Sequence, residues 1–306
     1  VEQIFHIVDT FTTTAFNGAQ IAVFPEAAAL NETQMQQLAK EMNLSHSVFV
    51  MPATEKEAVR KVRIFSPQTE IDFAGQAVIA ASYVLATRGD IEMDGEHTEA
   101  ILELKSDLLK TNVTQTDGKP SLVQFSTEAL PIVDRFTPTE GELSDILSLD
   151  EKTIDNVLFR TRLVSCGTPF LIVPIKYYDA VRRAKFDYSA WSQSVAPQTA
   201  AQEILLFSRN PDQQDVEFHL RIVGPRIGLK EDPPVGGSLL AFAAYLCSHE
   251  HITKGTYTFS VDRGTEETRR SVMNLEMDNK GQNKLTLRVG GEAVMMAEGK
   301  VYVNAR

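Results

Sequence analysis

Two segments of this chain are apolar on nearly every side at helical spacing, and each follows a glycine. QAVIAASYVLATRG begins at Gln76 and SLLAFAAYLCSHE begins at Ser238. A helix lying on a surface shows one apolar stripe, whereas a helix without a polar face is buried inside its domain. The two segments also share a spacing, since Gly75 precedes Tyr83 by eight residues and Gly237 precedes Tyr245 by the same eight. Each is led by a strand-like run and a polar loop. A strand, loop, glycine and buried helix occurring twice predicts two similar lobes, each a helix wrapped by strands, with a ligand cleft between them.

The remaining pattern fits that plan. Residues 3–11 read as a strand, Asn17-Gly18 as a turn and residues 20–24 as the hairpin partner. Asn31 reads as the N-cap of a helix that places Met35, Leu38, Ala39 and Met42 on one face. Strands follow at 47–51 and 59–65, and in the second half at 162–173 and 217–223. The polar stretch NVTQTDGKPS, residues 112–121, reads as a boundary. The expected units are therefore 1–116, completed by 292–306, and 117–291. LTLRVGG and AVMMAEGKVYV read as closing strands, the last crossing back to the first lobe.

A chain of 306 residues, 43% of them hydrophobic, can fold on its cores without disulfides or a structural metal. A net charge of -11 disfavours nucleic acid, which needs a basic face. Cys166 and Cys247 are far apart without CxxC spacing and read as reduced thiols. VEQIFHIVDTF alternates like a strand rather than running basic then apolar as a signal peptide does, and no apolar run is long enough to cross a bilayer. A cytoplasmic protein with no membrane or nucleic-acid partner is the expectation.

HIVDTFTTTAFNGAQIAVF, NLSHSVFV, RIFSPQTEIDFAGQAVIAASYVL, VSCGTPFLIVP, GLKEDPPVGGSLLAFAAYL and VGGEAVMMAEG run in the order of the corresponding PhzF-like segments. The chain thus resembles the phenazine-biosynthesis-like isomerases over nearly its whole length. The resemblance implies an α+β, diaminopimelate-epimerase-like fold of two pseudo-symmetric lobes, each a curled, mostly antiparallel sheet around a central apolar helix. It also implies cofactor-independent proton-shift isomerisation of a small carboxylate-bearing molecule, no metal, a homodimer, and VGGEAVMMAEG as a final hairpin. Family chemistry is attributed to a glutamate in NLSE, a histidine in FAGH and an aspartate in EDP. Those positions carry His46, Gln76 and Asp232 here. The family's QGxxxGRPS segment departs too, reading Arg263-Gly264 and then Thr268-Arg269-Arg270-Ser271.

Moving a proton between carbons needs a group that accepts and returns it near neutral pH. His46 suits this without tuning, its ordinary pKa being about 6.5; the plainer alternative is a loop histidine at a helix end. Asp232, beside Glu231, orients that base, binds a substrate amine or caps the following helix. Gln76 can bind but cannot shuttle protons. Gly75, Gly236 and Gly237 stand ahead of two helix starts, where backbone N–H groups attract a carboxylate, or else they simply make tight turns. Gly18 and Gly167 carry the same two readings. Racemases of this fold place cysteines just before these glycines; Ala74 and Val235 stand there instead, so two-thiol chemistry is disfavoured, and neither Cys166 nor Cys247 is assigned a catalytic role. The His249, Glu250 and His251 trio ends a helix with alternate residues on different faces, which argues against a metal. Arg269 and Arg270 read as solvated. The rival to an enzyme is a catalytically lapsed member that binds a small anion or a protein partner.

Overall fold

The computed structural model describes residues 2–209, 216–225, 232–249, 254–265, 267–280 and 284–303. They fall into two compact units, the first comprising residues 1–127, 269–273 and 288–306, the second 128–268 and 274–287.

The first unit runs β1 (Glu2–Thr10), β2 (Ala19–Phe24), α1 (Glu32–Met42), β3 (His46–Met51), β4 (Arg60–Phe65), β5 (Glu70–Ile71), α2 (Gly75–Arg88), β6 (His97–Glu103), β7 (Leu108–Thr116) and β8 (Lys119–Ala129). Asn31 caps α1 reciprocally with Gln34, and Met35, Leu38 and Ala39 pack on Phe24, Phe49 and Phe65. Helix α2 is buried from Gly75 to Ser82 and again from Val84 to Ala86, as its missing polar face requires. It ends at Gly89, whose φ of 82° is the left-handed cap that glycine adopts without strain.

Residues 112–121, read above as a boundary, are instead a hairpin. Asp117 and Gly118 both have positive φ, 53° and 74°, the pair of left-handed residues that a tight two-residue turn needs between β7 and β8. The closing segments also differ from expectation, because they form neither two strands nor a hairpin. They make one 18-residue strand, which we number β16 (Leu285–Tyr302). Its glycines do not break it; the bare Cα of Gly291 accommodates the Phe11 ring, where an added Cβ would lie 2.2 Å from Cδ1. β16 pairs with β1 from Ala293 opposite Thr10 to Tyr302 opposite Glu2. It also pairs with β8, so the strands of this unit close on themselves.

The second unit contains β9 (Ile132–Asp134), α3 (Glu140–Leu147), β10 (Arg162–Ser165), β11 (Pro169–Pro174), α4 (Tyr178–Arg183), α5 (Tyr188–Gln193), β12 (Glu203–Arg209), β13 (Phe218–Val223), α6 (Leu239–Cys247) and β14 (Gly255–Arg263), and most of β15 (Ser271–Asn279). Alternation along the central strands divides the core. Leu171, Val173, Ile204 and Leu206 meet Leu143, Ile146 and Trp191 of α3 and α5. Phe207 points the other way, its ring 5.1 Å from that of Phe242 and 5.4 Å from that of Tyr245 on α6.

The internal echo seen in the sequence extends to strand direction. In the first unit β2 and β3 are parallel across α1, and β4 and β6 are parallel across α2. In the second unit β11 and β12 are parallel across α4 and α5, and β13 and β14 are parallel across α6. Parallel neighbours need a crossover, and each crossover here is a helix. Among the described residues no helix is long and apolar enough to cross a membrane.

Candidate active site

His46 is the first residue of β3, opposite Ile21 of β2 in a parallel register, so it is held by a sheet rather than by the loop at the end of α1. The chain reaches it through Asn43, left-handed at φ 50°, and through Ser45, whose hydroxyl donates to the Gln20 carbonyl at 3.0 Å. Gln76, in the first turn of α2, is 5% exposed. Its Nε2 lies 3.2 Å from His46 Nδ1. The two altered motif positions are thus in direct contact. The cap residue Ala74 offers no side-chain hydrogen bond to this helix start. First-turn N–H groups have no partner within a helix, so this end is electropositive.

Gly75 makes the entry possible by close packing: an added Cβ would sit 2.8 Å from Phe125 Cζ. Gly18 is differently placed. Its φ is 69° and an added Cβ would lie 2.1 Å from the Thr10 carbonyl oxygen, so only glycine fits. Its N–H already donates to the Arg270 carbonyl at 2.8 Å and its carbonyl accepts from Arg269 Nε at 3.0 Å. That N–H is engaged within the protein, which favours the tight-turn reading of Gly18. Arg269 is not solvated either. Its guanidinium donates to Asp9 and to the Asn17 carbonyl, and Asp9 also accepts the Phe16 N–H at 2.9 Å. Burial raises the Asp9 pKa, with Arg269 and the Phe16 N–H working against the rise.

In the second unit, Asp232 is gripped by Arg182, whose two terminal nitrogens donate to its two oxygens at 2.5 and 2.8 Å. Its carboxylate is 2% exposed, and Arg221 Nε lies 3.9 Å away. Burial favours the neutral acid, but hydrogen bonds from Arg182 and Thr268 and the charges of Arg182 and Arg221 prevail, leaving the pKa below its ordinary value. An ionised, doubly bonded carboxylate is a poor proton acceptor and a good anchor. What it anchors is α4: Arg221 donates to the carbonyls of Val181, Arg182 and Ala184 at 2.8 to 2.9 Å. Arg263 in turn donates to the Asp232 and Thr268 carbonyls, each at 3.1 Å. Glu231 lies outside the described residues.

Gly236 and Gly237 open a single 3-10 turn, Gly236–Ser238, ahead of α6 rather than starting the α-helix itself. Nothing lies within 4 Å of where a Gly237 Cβ would be, so packing does not require glycine there. Gly167, at φ 111°, turns the chain between β10 and β11. Cys166 therefore sits in a turn, not in a strand. Burial pushes its thiol up to about 11, and that of Cys247 likewise to about 11, so both are protonated at neutral pH. His249 Nε2 accepts the Arg160 N–H at 3.1 Å; Glu250 and His251 lie outside the described residues. Among the described residues no group of three or more His, Cys, Asp or Glu is arranged to hold a metal.

A strand-borne histidine set against a buried helix start, in a unit whose strands wrap that helix, matches a known class of fold. Residues 8–299 match the family described as phenazine biosynthesis-like protein, PhzC-PhzF, and the chain belongs to that family. It is 28% identical over 302 residues to an uncharacterized isomerase of Mesorhizobium japonicum, covering 97% of this chain and 98% of the relative. It is 24% identical over 297 residues to trans-2,3-dihydro-3-hydroxyanthranilate isomerase of Pseudomonas aeruginosa, covering 97% and 98%. Among solved structures it is similar to a PhzF-family phenazine biosynthesis protein of Bacillus anthracis, with a TM-score of 0.85 at 22% identity over 99% of this chain and 100% of that one. A hydroxyproline epimerase of Agrobacterium vitis shares the fold at a TM-score of 0.62 and 12% identity, over 98% and 92%.

Sequence reasoning missed Arg182, Arg221 and the Asp9 to Arg269 tie. A bidentate partner 50 residues away leaves no local signal. The capping box of α3, Thr139 with Glu142, was legible as T-x-x-E and passed over.

Proposed function

We propose that the chain is an isomerase that moves a proton between carbons of a small carboxylate-bearing metabolite, with His46 carrying the proton. The observation that carries this reading is the contact between His46 Nδ1 and Gln76 Nε2 at 3.2 Å. A proton carrier must exist in two forms, and its orienting partner must tolerate both. A glutamine does: after its amide turns over, Oε1 accepts from Nδ1–H both when the outer nitrogen is a free base and when the ring has taken up the added proton as imidazolium. The outer nitrogen, Nε2, then takes a proton from one carbon and returns it to another. Developing enolate-like charge is stabilised by donors already in place. The first-turn N–H groups of Gly75 and Gln76 are suited to the substrate carboxylate.

Within the second unit Asp232 fixes Arg182 and α4, a holding role rather than that of a proton acceptor. The names of the curated relatives favour isomerisation, and one of them acts by name on a carboxylated ring. No cofactor takes part, and the protein works in the cytoplasm as a homodimer.

Incubation with a metabolite library in deuterated water, scored by mass shift, tests the reading. Exchange into a carboxylated metabolite that falls about 10²- to 10⁴-fold in His46→Ala is the expected result. Thermal stabilisation by carboxylates with no exchange in the wild type would instead establish a lapsed, anion-binding member.

A further inference from the structure

In a chain with a net charge of -11, acids are plentiful enough to pair with arginines in both units. Arg60, Arg63, Arg88, Arg182 and Arg269 each pair with a carboxylate. Among the described residues, none pairs with Arg135, Arg160 or Arg162, and the one hydrogen bond from the Arg162 side chain goes to the carbonyl of Thr161 at 3.1 Å.

These three arginines are neighbours. β9 and β10 pair antiparallel with Leu163 opposite Asp134. Arg162 and Arg135 adjoin the end of this ladder, each one residue beyond that pair, and Arg160 lies two residues before Arg162 on the wall of the same cavity. Like charges this close repel. Burial and the charges of Arg135 and Arg160 hold Arg162 below its ordinary pKa. The cost is built in rather than incidental, because the Arg160 backbone is fixed at both ends: its carbonyl accepts the Tyr245 hydroxyl at 2.8 Å and its N–H donates to His249 at 3.1 Å.

Arg160 and Arg162 open onto a cavity of about 450 Å³, with Thr137, Thr139, Asn156 and Thr161 also lining it. The two acids on its wall are engaged elsewhere: Glu140 accepts from the Asn156 side chain at 2.9 and 3.1 Å, and Asp155 accepts the N–H groups of Val157 and Leu158 at 2.9 and 3.4 Å. We propose that this cavity of the second unit binds the phosphate group of a small phosphomonoester, held by Arg160 and Arg162 with Arg135 adding charge. A phosphomonoester carries nearly two negative charges, enough to relieve three clustered cations, and its oxygens match the guanidinium fork. The cavity is larger than a bare phosphate. Leu143, Ile154 and Pro138 supply an apolar wall for the rest of the molecule.

The full chain is titrated with inorganic phosphate and, separately, glycerol 3-phosphate at fixed low ionic strength, reading melting temperature and heat of binding. Both probes should bind, the ester more tightly. Arg160→Gln and Arg162→Gln should each weaken binding about tenfold, the loss of one charge-assisted contact, and His46→Ala should leave it unchanged. Arg160 is exposed, so its variant keeps the test informative should Arg162→Gln fold poorly. Absence of binding, binding that survives the double variant, or binding lost in His46→Ala alone would each overturn the proposal.

Discussion

Asp9 and Arg269 form an ion pair across 260 residues of sequence, and the same guanidinium holds the carbonyls of Asn17 and Gly18. The first turn of the chain is therefore fastened by a residue near its far end. Asp9 is fully buried, so removing Arg269 leaves its carboxylate with the Phe16 N–H and no countercharge from that guanidinium. Arg269→Ala should lower stability by about 3–5 kcal/mol, measured by urea unfolding at neutral pH. A loss below about 1 kcal/mol would show that the pair is a surface-like contact.

Gly18 should tolerate no side chain. Its left-handed φ and the 2.1 Å approach to the Thr10 oxygen make Gly18→Ala strained in two independent ways. The expected loss exceeds the roughly 1 kcal/mol of a positive-φ glycine alone, and a melting curve superimposable on wild type would refute it.

Asp232 gives a prediction that separates anchoring from proton transfer. Asp232→Ala removes the carboxylate that receives both terminal nitrogens of Arg182 and that faces Arg221 in a largely buried setting, and stability should fall by about 3–5 kcal/mol. Any loss of turnover should follow the loss of folded protein. A fully folded Asp232→Asn protein that has lost all exchange while His46→Ala keeps it would reassign the proton carrier.

Glu103 controls acid stability in the first unit. Lys61 donates to it at 2.7 Å, and the Thr54 hydroxyl and the N–H groups of Thr54 and Glu55 complete its shell. Together they hold its pKa down to about 2, against an ordinary 4.5. A depressed carboxylate stabilises the fold above its unfolded pKa and loses that contribution as pH falls through its folded one. The stability gap between wild type and Glu103→Gln should be full at pH 7, shrink below about 4.5 and be largely gone near 2. A gap independent of pH would refute the assignment.

Gln76 should act on turnover more than on folding. Gln76→Leu keeps the volume of the side chain but cannot bond His46 Nδ1, so exchange should fall about 10- to 100-fold, the usual effect of losing a partner that orients a functional histidine. The pH profile of exchange should change with it; an unchanged profile and rate would mean that the contact is structural only.

The parts of this fold that were legible before the coordinates were those with local causes. Helices α1 and α2 followed from a cap, a spacing and a missing polar face, and the turn at Gly18 from its dipeptide. The stretch 112–121 misled because polarity and a tight hairpin turn share the residues Asp117 and Gly118. The closing stretch misled differently: the resemblance implied a final hairpin, while the structure uses Gly291 to admit the Phe11 ring within a continuous strand. At the site, the motif position located His46 and Gln76, but their contact depends on where β3 and α2 meet. Arg182 and Arg269 lay beyond reach because long-range ion pairs have no periodicity to read.

Strand β16 has a consequence for synthesis. The edge of β1 is covered by residues 293–302, so a chain emerging from the ribosome carries that edge, and the wall around α2, incomplete until those residues have been made. Folding of the first unit is thereby deferred until β16 has been synthesised, and during that interval the open edge is the place where two nascent chains would stick together.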